Sequence, residues 1–195
     1  MTVTATTPGP AEILARAFHH DPWMQFVEPS PSRRPALAAG VYAGMLNTGT
    51  AHGTNDITDG IGSATWLPRT RATTDLLDAF RTGLGQAALR LGPAALYRLL
   101  NTERFVESTA NSVMAGREHI YLALLGVDPD HAHQGFGSRL VRTGLARADA
   151  AGLPVYLETF NPHNPGFYER FGFRVHRFVD RRGIPPFWAM VREPA

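Results

Sequence analysis

The amino-acid sequence predicts an α/β fold in which a mixed, mostly antiparallel sheet with a central parallel βαβ unit is flanked by helices. Three observations predict this fold. An unbroken apolar run at 118–127 is typical of a buried strand, a helical pattern covers 135–151, and a second apolar run follows at 153–160. A strand, a helix and a strand in this order form a crossover between two parallel strands. Shorter strand patterns on both sides predict antiparallel hairpins.

The N-terminal segment predicts two helices. Residues 1–7 alternate like a short edge strand or form a loose tail. A helix is expected from Pro10 to about His20, because its apolar residues share one face and proline is favoured at the first helical position. The segment Asp21–Pro22–Trp23 ends it. A second helix is predicted at 32–46, with Ser32 as its N-cap.

A β-hairpin and a helical segment come next along the chain. Strands are predicted at 50–57 and 60–67, and Pro68 closes the hairpin. From Thr73 to about Leu100 the apolar residues follow a helical period, which is interrupted at Gly92–Pro93. This part of the chain therefore predicts two helices.

The C-terminal part ends with a short helix and two strands. The helix is predicted at 165–171, and the strands at 173–179 and 187–192 are joined by a loop rich in glycine and proline. The chain has 195 residues, of which 44% are hydrophobic. That length and composition suit one well-packed domain and are short for two.

The composition removes several kinds of chemistry. The chain has 19 basic residues, all of them arginine, 17 acidic residues and no cysteine. Without cysteine there is no thiolate nucleophile or Cys-based metal site, and without lysine there is no Schiff base or Walker A lysine. A net charge of +2 without arginine clusters predicts no nucleic-acid partner. No segment resembles a signal peptide or membrane span, which predicts a cytoplasmic protein with no membrane partner.

The loop His131–Ser138, between a strand and a helix, is the first candidate site. Gly135 and Gly137 let the backbone approach a ligand, and the free N–H groups at the helix start attract an anion such as a phosphate. A tight turn without a ligand explains the two glycines about equally well. His131 and His133 form an H-x-H pair, for which a loop or phosphate role is favoured over a metal.

The block from Asn161 to Phe173 is the second candidate site. Tyr168 falls on a short helix after the second parallel strand, and ligands of open α/β sheets bind at the carboxyl ends of such strands. A tyrosine there is a candidate general acid. The alternative is a tyrosine that packs between Phe167 and Phe171 and hydrogen-bonds through its hydroxyl.

These motifs together resemble a known family. The run Leu124–Pro129, the Gly135–Gly137 loop and the block Asn164–Phe173 have the order and spacing found in the acyl-CoA core of the GNAT-type N-acetyltransferases. Within that family, Tyr121–Ala123 and Leu157–Thr159 are similar to puromycin N-acetyltransferase and its relatives. The combined motif is specific, whereas each half alone is not.

The resemblance implies a single GNAT-like domain over 1–195. Its acetyl-CoA-binding core would cover about 118–193. The N-terminal part, about 1–117, would form the acceptor side and contain the helical insert at 73–109. The implied co-substrate is acetyl-CoA, and a homodimer is common in the family.

The resemblance also implies the residues that hold acetyl-CoA. A strand would pair with the pantetheine amides, with a β-bulge at Gly126, and the glycine loop would wrap the pyrophosphate. Ala132 and His133 stand where the family usually has Gln or Arg followed by Gly, so this loop departs from the pattern. The expected residues are Leu125, Gly126, Val127, His133, Gln134, Gly135, Phe136, Gly137, Ser138 and Asn164.

Two residues are the candidates for catalysis. Tyr168 would lie near the sulfur of the leaving CoA. Glu158 lies on the otherwise apolar second parallel strand, where a carboxylate needs a partner, so it is either a general base or half of a buried ion pair with an arginine. Because there is no cysteine to carry the acetyl group, we expect direct transfer to the amine.

The acceptor is expected to be the primary amine of a small molecule, with a drug-like or antibiotic amine as the candidate. Several aromatic side chains beside an acid suit a cationic amine, although core packing is the alternative for each of them. The insert at 73–109 is a candidate cover for this pocket. A CoA-binding regulator and an acetyltransferase for protein amines are the competing functions. The candidate acceptor residues are Phe18, Trp23, Phe26, Glu28, Trp66, Tyr121 and Trp188.

Overall fold

The computed structural model describes residues 8–58, 60–69 and 92–195. Within these ranges the chain forms six α-helices, a short 3-10 helix at Pro129–His131 and six strands in one sheet. In chain order the α-helices and strands are α1 (Pro10–Ala17), α2 (Pro22–Val27), α3 (Arg34–His52), β1 (Thr54–Thr58), β2 (Gly62–Arg69), α4 (Pro93–Met114), β3 (His119–Val127), α5 (Phe136–Ala150), β4 (Val155–Thr159), α6 (Pro165–Glu169), β5 (Arg174–Val179) and β6 (Phe187–Arg192).

The sheet is mixed, as predicted. Its strand order is β1-β2-β3-β4-β6-β5, in which β3 and β4 are parallel and the other neighbouring pairs are antiparallel. The helix α5 connects the two parallel strands. The predicted fold class, an α/β sheet with a central parallel βαβ unit, is therefore confirmed.

The main hydrophobic core lies between α5 and the sheet. Leu140, Val141, Leu145 and Ala148 of α5 are buried in one cluster with residues from β2, β3, β4 and β6. The helix lies very close to the sheet, because a Cβ atom on Gly144 would be 2.0 Å from the ring of Trp66. This packing fixes α5, and hence its N-terminus, relative to the ends of the parallel strands.

A second apolar cluster lies on the opposite side of the sheet. It is formed by α1, α2 and α3 and includes Leu14, Met24, Tyr42 and Leu124. The structure differs from the sequence prediction here, because α2 is an additional helix, whereas the segment Asp21–Pro22–Trp23 is predicted only to end the first helix. Asp21 accepts a hydrogen bond from the Trp23 N–H and so caps this extra helix.

The third helix is longer than predicted. It begins at Arg34, with Arg33 rather than Ser32 at the N-cap position, and continues to His52. The segment 50–53, predicted as strand, therefore belongs to the end of this helix and its cap. The hydroxyls of Thr48 and Thr50 donate to carbonyl oxygens four residues earlier, which lets these strand-favouring residues stay helical.

Two other boundaries differ for identifiable reasons. Pro68 lies inside β2 and pairs with Ile120, instead of ending the hairpin. The helix that begins at Pro93 runs to Met114, well past the predicted end at Leu100, and stops where Ala115 adopts a φ of 49°. The predicted helix from Thr73 and the N-terminal segment 1–7 lie outside the described residues.

The predicted bulge at Gly126 is wrong. Gly126 pairs regularly with Ser63, and the extra residue is Ala123, because Thr65 pairs with Leu124 while Trp66 pairs with Leu122. Gly126 is instead required by packing, since a Cβ there would lie 2.6 Å from Cδ2 of Leu14. None of the described helices has the length and apolar character needed to cross a membrane.

Candidate active site

The two parallel strands diverge soon after they meet. In the described chain β3 and β4 pair at two positions, Ile120 with Val155 and Tyr121 with Tyr156. Further along β3, the residues pair with β2 on the other side as far as Val127. The peptide groups that β3 directs toward β4 beyond Tyr121 are consequently open to a ligand with amide groups of its own.

A cleft of about 510 Å³ continues this gap at the carboxyl ends of the strands. Its floor is the loop before α5, in which His133 has a φ of 61° and Gly135 a φ of 83°. These left-handed residues turn the chain into the first turn of α5, whose N–H groups have no partners within the helix. This geometry fits a diphosphate, because such N–H groups and the helix dipole attract anions.

Most of the predicted acetyl-CoA residues line this cleft. Gly126 does not, since it faces α1, and Gln134 is exposed, with its side chain 3.4 Å from the Asp130 carbonyl oxygen. The residues that do line it are Leu125, Val127, His133, Gly135, Phe136, Gly137, Ser138 and Asn164.

The cleft also contains His131, which belongs to the predicted loop site, and Arg170, which the sequence analysis did not assign to it. His131 lines it and has a buried Nδ1 without a hydrogen-bond partner in the described chain. Arg170 lines it too, and its guanidinium carbon lies 5.1 Å from the centre of the Phe167 ring. An arginine two residues after Tyr168, at the end of a short helix, was a signal available in the sequence for an anion-binding residue.

Tyr168 lies where this cleft meets a second cavity. It lines both, together with Leu125 and Asn164, and its side chain is 7% exposed. Asn164 is held in place by a 2.9 Å hydrogen bond from its Nδ2 to the hydroxyl of Thr159. Burial, with the nearby carboxyls of Asp21 and Glu158, raises the pKa of Tyr168 and keeps its hydroxyl protonated.

Glu158 lines the second cavity from the end of β4. Its Oε1 accepts a hydrogen bond from the Tyr121 hydroxyl, and its buried Oε2 has no hydrogen-bond partner among the described residues. Burial raises the pKa of Glu158 to about 7, although the Tyr121 hydroxyl and Arg69 act in the opposite direction. The alternative was an ion pair between Glu158 and an arginine, and the described residues contain no such pair. Arg69 lies instead over the Tyr121 ring, with its guanidinium carbon 4.8 Å from the ring centre.

The second cavity has a volume of about 110 Å³, and six of its seventeen described lining residues are aromatic. Of the predicted acceptor residues, it contains Phe18, Trp23 and Tyr121. Sequence reasoning missed the others that matter chemically, because they come from elements far apart in the chain. They are Asp21, Tyr42, Glu103 and Phe160.

The structure places four predicted acceptor residues elsewhere. Trp66 is 3% exposed and packs against α5, and Trp188 contacts Phe178 at a ring distance of 4.9 Å. Phe26 packs with Val27 in a separate cluster against α4. Glu28 is buried and accepts hydrogen bonds from the Ser30 N–H and Arg33, so its charge is already compensated.

Asp21 is the acid that the cavity holds in place of Glu28. Its position at the start of α2 directs the carboxyl to the same cavity as Tyr168 and Tyr42. Burial raises the pKa of Asp21 to about 6, while the N–H groups of Trp23 and Met24 oppose this shift. The sequence analysis assigned Asp21–Pro22–Trp23 only to the end of the first helix, and nothing in the sequence showed that Asp21 would lie beside Tyr168.

Comparison with known proteins shows which proteins this chain resembles. The sequence profile of the acetyltransferase (GNAT) family matches residues 81–173. An uncharacterised N-acetyltransferase of Schizosaccharomyces pombe is 27% identical, in a match that covers 71% of this chain and 59% of that relative. The chain thus spans about 59% of the length of this curated relative.

Solved structures share the fold over nearly the whole chain. A Corynebacterium glutamicum protein described as histone acetyltransferase HPA2 and related acetyltransferase has a TM-score of 0.64 at 23% identity, covering 100% of this chain and 94% of that one. Arylalkylamine N-acetyltransferase 2 from Aedes aegypti has a TM-score of 0.56 at 13% identity, covering 95% and 93%. Residues 81–173 are therefore similar to the acetyltransferase (GNAT) family, and the fold is one that this chain shares with both solved acetyltransferases.

Proposed function

We propose that this protein is an acetyl-CoA-dependent N-acetyltransferase that moves the acetyl group directly to a small primary amine. The observation that carries the proposal is the position of Tyr168 between two cavities of different character. One cavity ends at a glycine loop and a helix N-terminus, and the other is aromatic and acidic. Such a pair of sites suits a reaction that transfers a group from an anionic co-substrate to a cationic acceptor.

The first cavity would hold acetyl-CoA. The open edge of β3 at Leu125 and Val127 would pair with the pantetheine amides, and Asn164 would contact the same arm. The backbone from His133 to Ser138 would surround the diphosphate, with Arg170 near enough to add a positive charge. When bound, acetyl-CoA supplies a thioester whose carbon–sulfur bond breaks as the carbon–nitrogen bond of the amide forms.

Glu158 would act as the general base. An alkylamine is mostly protonated at neutral pH and must lose a proton before its nitrogen can attack. The free Oε2 of Glu158 lies in the acceptor cavity, and a pKa of about 7 leaves much of it ionised at neutral pH. Tyr121 would hold the carboxyl in position through the hydrogen bond to Oε1.

Tyr168 would donate a hydrogen bond to the leaving sulfur. Its raised pKa favours a shared proton over complete transfer to a thiolate, which is the weaker base of the two. One amine proton passes to Glu158 and on to solvent, and a second compensates the charge of the departing thiolate. With no cysteine in the chain, no acetyl-cysteine step is available, which supports direct transfer.

The size of the acceptor cavity supports a small amine over a protein amine. Its volume of about 110 Å³, as bounded by the described residues, is below the ~300–1,000 Å³ of pockets for drug-sized ligands. We therefore propose an acceptor smaller than the drug-like amine that the sequence suggested. The similarity to puromycin N-acetyltransferase remains a prediction from the sequence motifs, as do the cytoplasmic location and the homodimer.

Turnover of acetyl-CoA with a panel of amines tests the proposed function. We expect thiol release that depends on both acetyl-CoA and a small amine, with no release from peptides that have free N-termini or lysines. Calorimetry with CoA alone separates binding from catalysis. Tight CoA binding without acetylation of any amine would instead support a CoA-binding regulator.

A further inference from the structure

The charge of the acceptor cavity is the starting point, and this inference rests on the proposed function. Three carboxyl groups line the cavity, from Asp21, Glu103 and Glu158, and no basic side chain is among the described lining residues. One reacting amine neutralises one carboxylate at most, and it must be uncharged when it attacks. Glu103 is exposed to solvent, but when Glu158 serves the reacting amine, the partly buried carboxyl of Asp21 has no positive partner among the described lining residues.

The three acids are distributed over different parts of the cavity. The negative charge of Glu103 acts on Glu158 and Tyr121, and the positive charge of Arg69 acts on the same two groups. Asp21 acts instead on Tyr42 and Tyr168, at the side formed by α2 and α3. Within the described ranges no three acidic or histidine side chains converge as metal ligands, so these carboxyls do not form a metal site.

An unpartnered hydroxyl marks the Asp21 side as a ligand position. Tyr42 is 2% exposed and lines the cavity, yet its hydroxyl has no hydrogen-bond partner in the described chain. A buried hydroxyl without a partner is unfavourable, because it has lost its hydrogen bonds to water and gained none in the protein. A bound ammonium group would donate to this oxygen and neutralise Asp21 at the same time.

The apolar lining between the two sides sets the shape of the acceptor. Trp23 and Phe160 have their ring centres 6.3 Å apart, and Phe18 and Tyr42 are 5.0 Å apart. These rings suit a short hydrocarbon or aromatic spacer, and their faces also attract a cation.

We propose that the acceptor is a short diamine, which reacts with one amino group between Glu158 and Tyr168 while the second, as an ammonium, is bound by Asp21 and Tyr42. Asp21 is then a specificity-determining residue. Its contact with a charge that persists throughout the reaction would favour diamines over monoamines of the same length.

Matched amine pairs test this inference. Diaminobutane is compared with butylamine, and para-xylylenediamine with para-methylbenzylamine, by thiol release from acetyl-CoA. We expect kcat/KM to be about tenfold or more higher for each diamine, the effect of one charge-assisted hydrogen bond. In Asp21→Asn the ratio should fall to about one, and asparagine keeps the N-cap of α2. Asp21→Ser, also an N-capping residue, provides a second variant.

A surface carboxylate is the matched control. Asp56 on β1 pairs with Arg147 and lies outside both cavities, so Asp56→Asn should keep the diamine preference. Equal kcat/KM for diamines and monoamines in the wild type, or a preference that survives both Asp21 variants, would overturn the inference.

Binding separates this inference from the proposed function. Calorimetric titration of the CoA-bound protein with the same four amines needs no turnover. Tighter binding of the diamines that is lost in the Asp21 variants supports the inference even if no amine is acetylated, in which case only the proposed activity fails. Equal binding of both classes counts against the inference whether or not acetylation occurs.

Discussion

Single residues at the meeting point of the two cavities carry the proposed chemistry. Glu158 stands out because its environment, rather than its residue type, determines what it does. Alternation along β4 places Tyr156 and Glu158 on the α4 side, while Val155 and Leu157 pack under α5. That alternation could be predicted from the sequence. The hydrogen bond from Tyr121 could not, because it depends on the register between β3 and β4.

Replacing Glu158 by glutamine should slow the reaction strongly. Loss of a general base costs about 10²–10⁴-fold in rate, and we expect kcat to fall within this range with little change in KM. In the wild type, kcat/KM should rise with pH through about 7, where Glu158 loses its proton. This limb should be absent in Glu158→Gln. A pH profile of the variant that keeps the same limb would assign it to another group.

The same substitution should stabilise the ligand-free protein at high pH. The pKa of Glu158 is raised from 4.5 to about 7 on folding, so the folded state binds the proton more tightly. The resulting stability is present below pH 4.5 and is lost as the pH rises through 7, by up to ~3 kcal/mol. Glu158→Gln should therefore melt higher than the wild type at pH 8, with a smaller difference at pH 5. Equal pH dependence of the two melting temperatures would contradict this expectation.

His133 gives a second test at the residue scale. Its φ of 61° is one that glycine adopts freely and β-branched residues adopt at a cost. His133→Gly should keep CoA affinity within a few-fold, whereas His133→Val should weaken it by about tenfold or more, as backbone strain of 1–3 kcal/mol implies. Calorimetric titration with CoA measures both. Equal losses in the two variants would show that the imidazole itself binds the co-substrate.

The helices and strands position these residues, and some of them were easier to predict from the sequence than others. The units from β3 to β6 follow local signals: an apolar run, a helical period and glycine stops. On the N-terminal side the signals compete. The threonines and glycine at 48–50 favour strand or turn, yet the tertiary packing of α3 keeps them helical. The six residues of α2 are too few to show a clear helical pattern. Five lining residues of the acceptor cavity come from that side, which is one reason why only part of the cavity could be predicted; they are Phe18, Asp21, Trp23, Tyr42 and Met45.

The contact between α5 and β2 should be sensitive to one methyl group. A Cβ on Gly144 would overlap the Trp66 ring, so Gly144→Ala should lower the free energy of unfolding by about 1–3 kcal/mol. Gly166→Ala on α6 is the matched control, because a Cβ there meets nothing within 4 Å and its effect should be small. Denaturant unfolding measures both variants. A loss for Gly166→Ala as large as that for Gly144→Ala would point to glycine flexibility rather than to crowding.

At the scale of the whole molecule, salt bridges and packing connect the acceptor side to the co-substrate side. Arg16 on α1 pairs with Asp128 and Asp130, in the segment that leads into the glycine loop. The motifs around Gly135 and Tyr168 were enough to predict the fold and the position of the first cleft. The charge of the second cavity was not predictable, because its three acids come from α2, α4 and β4 and meet only in the folded chain.

Binding of CoA should be visible as global stabilisation. A ligand at 100 times its Kd adds about 2.7 kcal/mol to the free energy of unfolding, which for a domain of this size raises Tm by roughly 5–10 °C. Scanning calorimetry with CoA and, as a control, with adenosine alone measures the shift. No shift with CoA at any concentration would contradict the proposed site.

The early parting of β3 and β4 has a mechanical consequence. Each of these strands is anchored on its outer side, β3 by an eight-position ladder to β2 and β4 by a five-position ladder to β6. Pairing β3 with β4 along their full length would require breaking the hydrogen bonds of one of those ladders. The gap between β3 and β4 is therefore held open by the rest of the sheet. A pantetheine arm would pair with the open edge of β3 without the cost of separating paired strands.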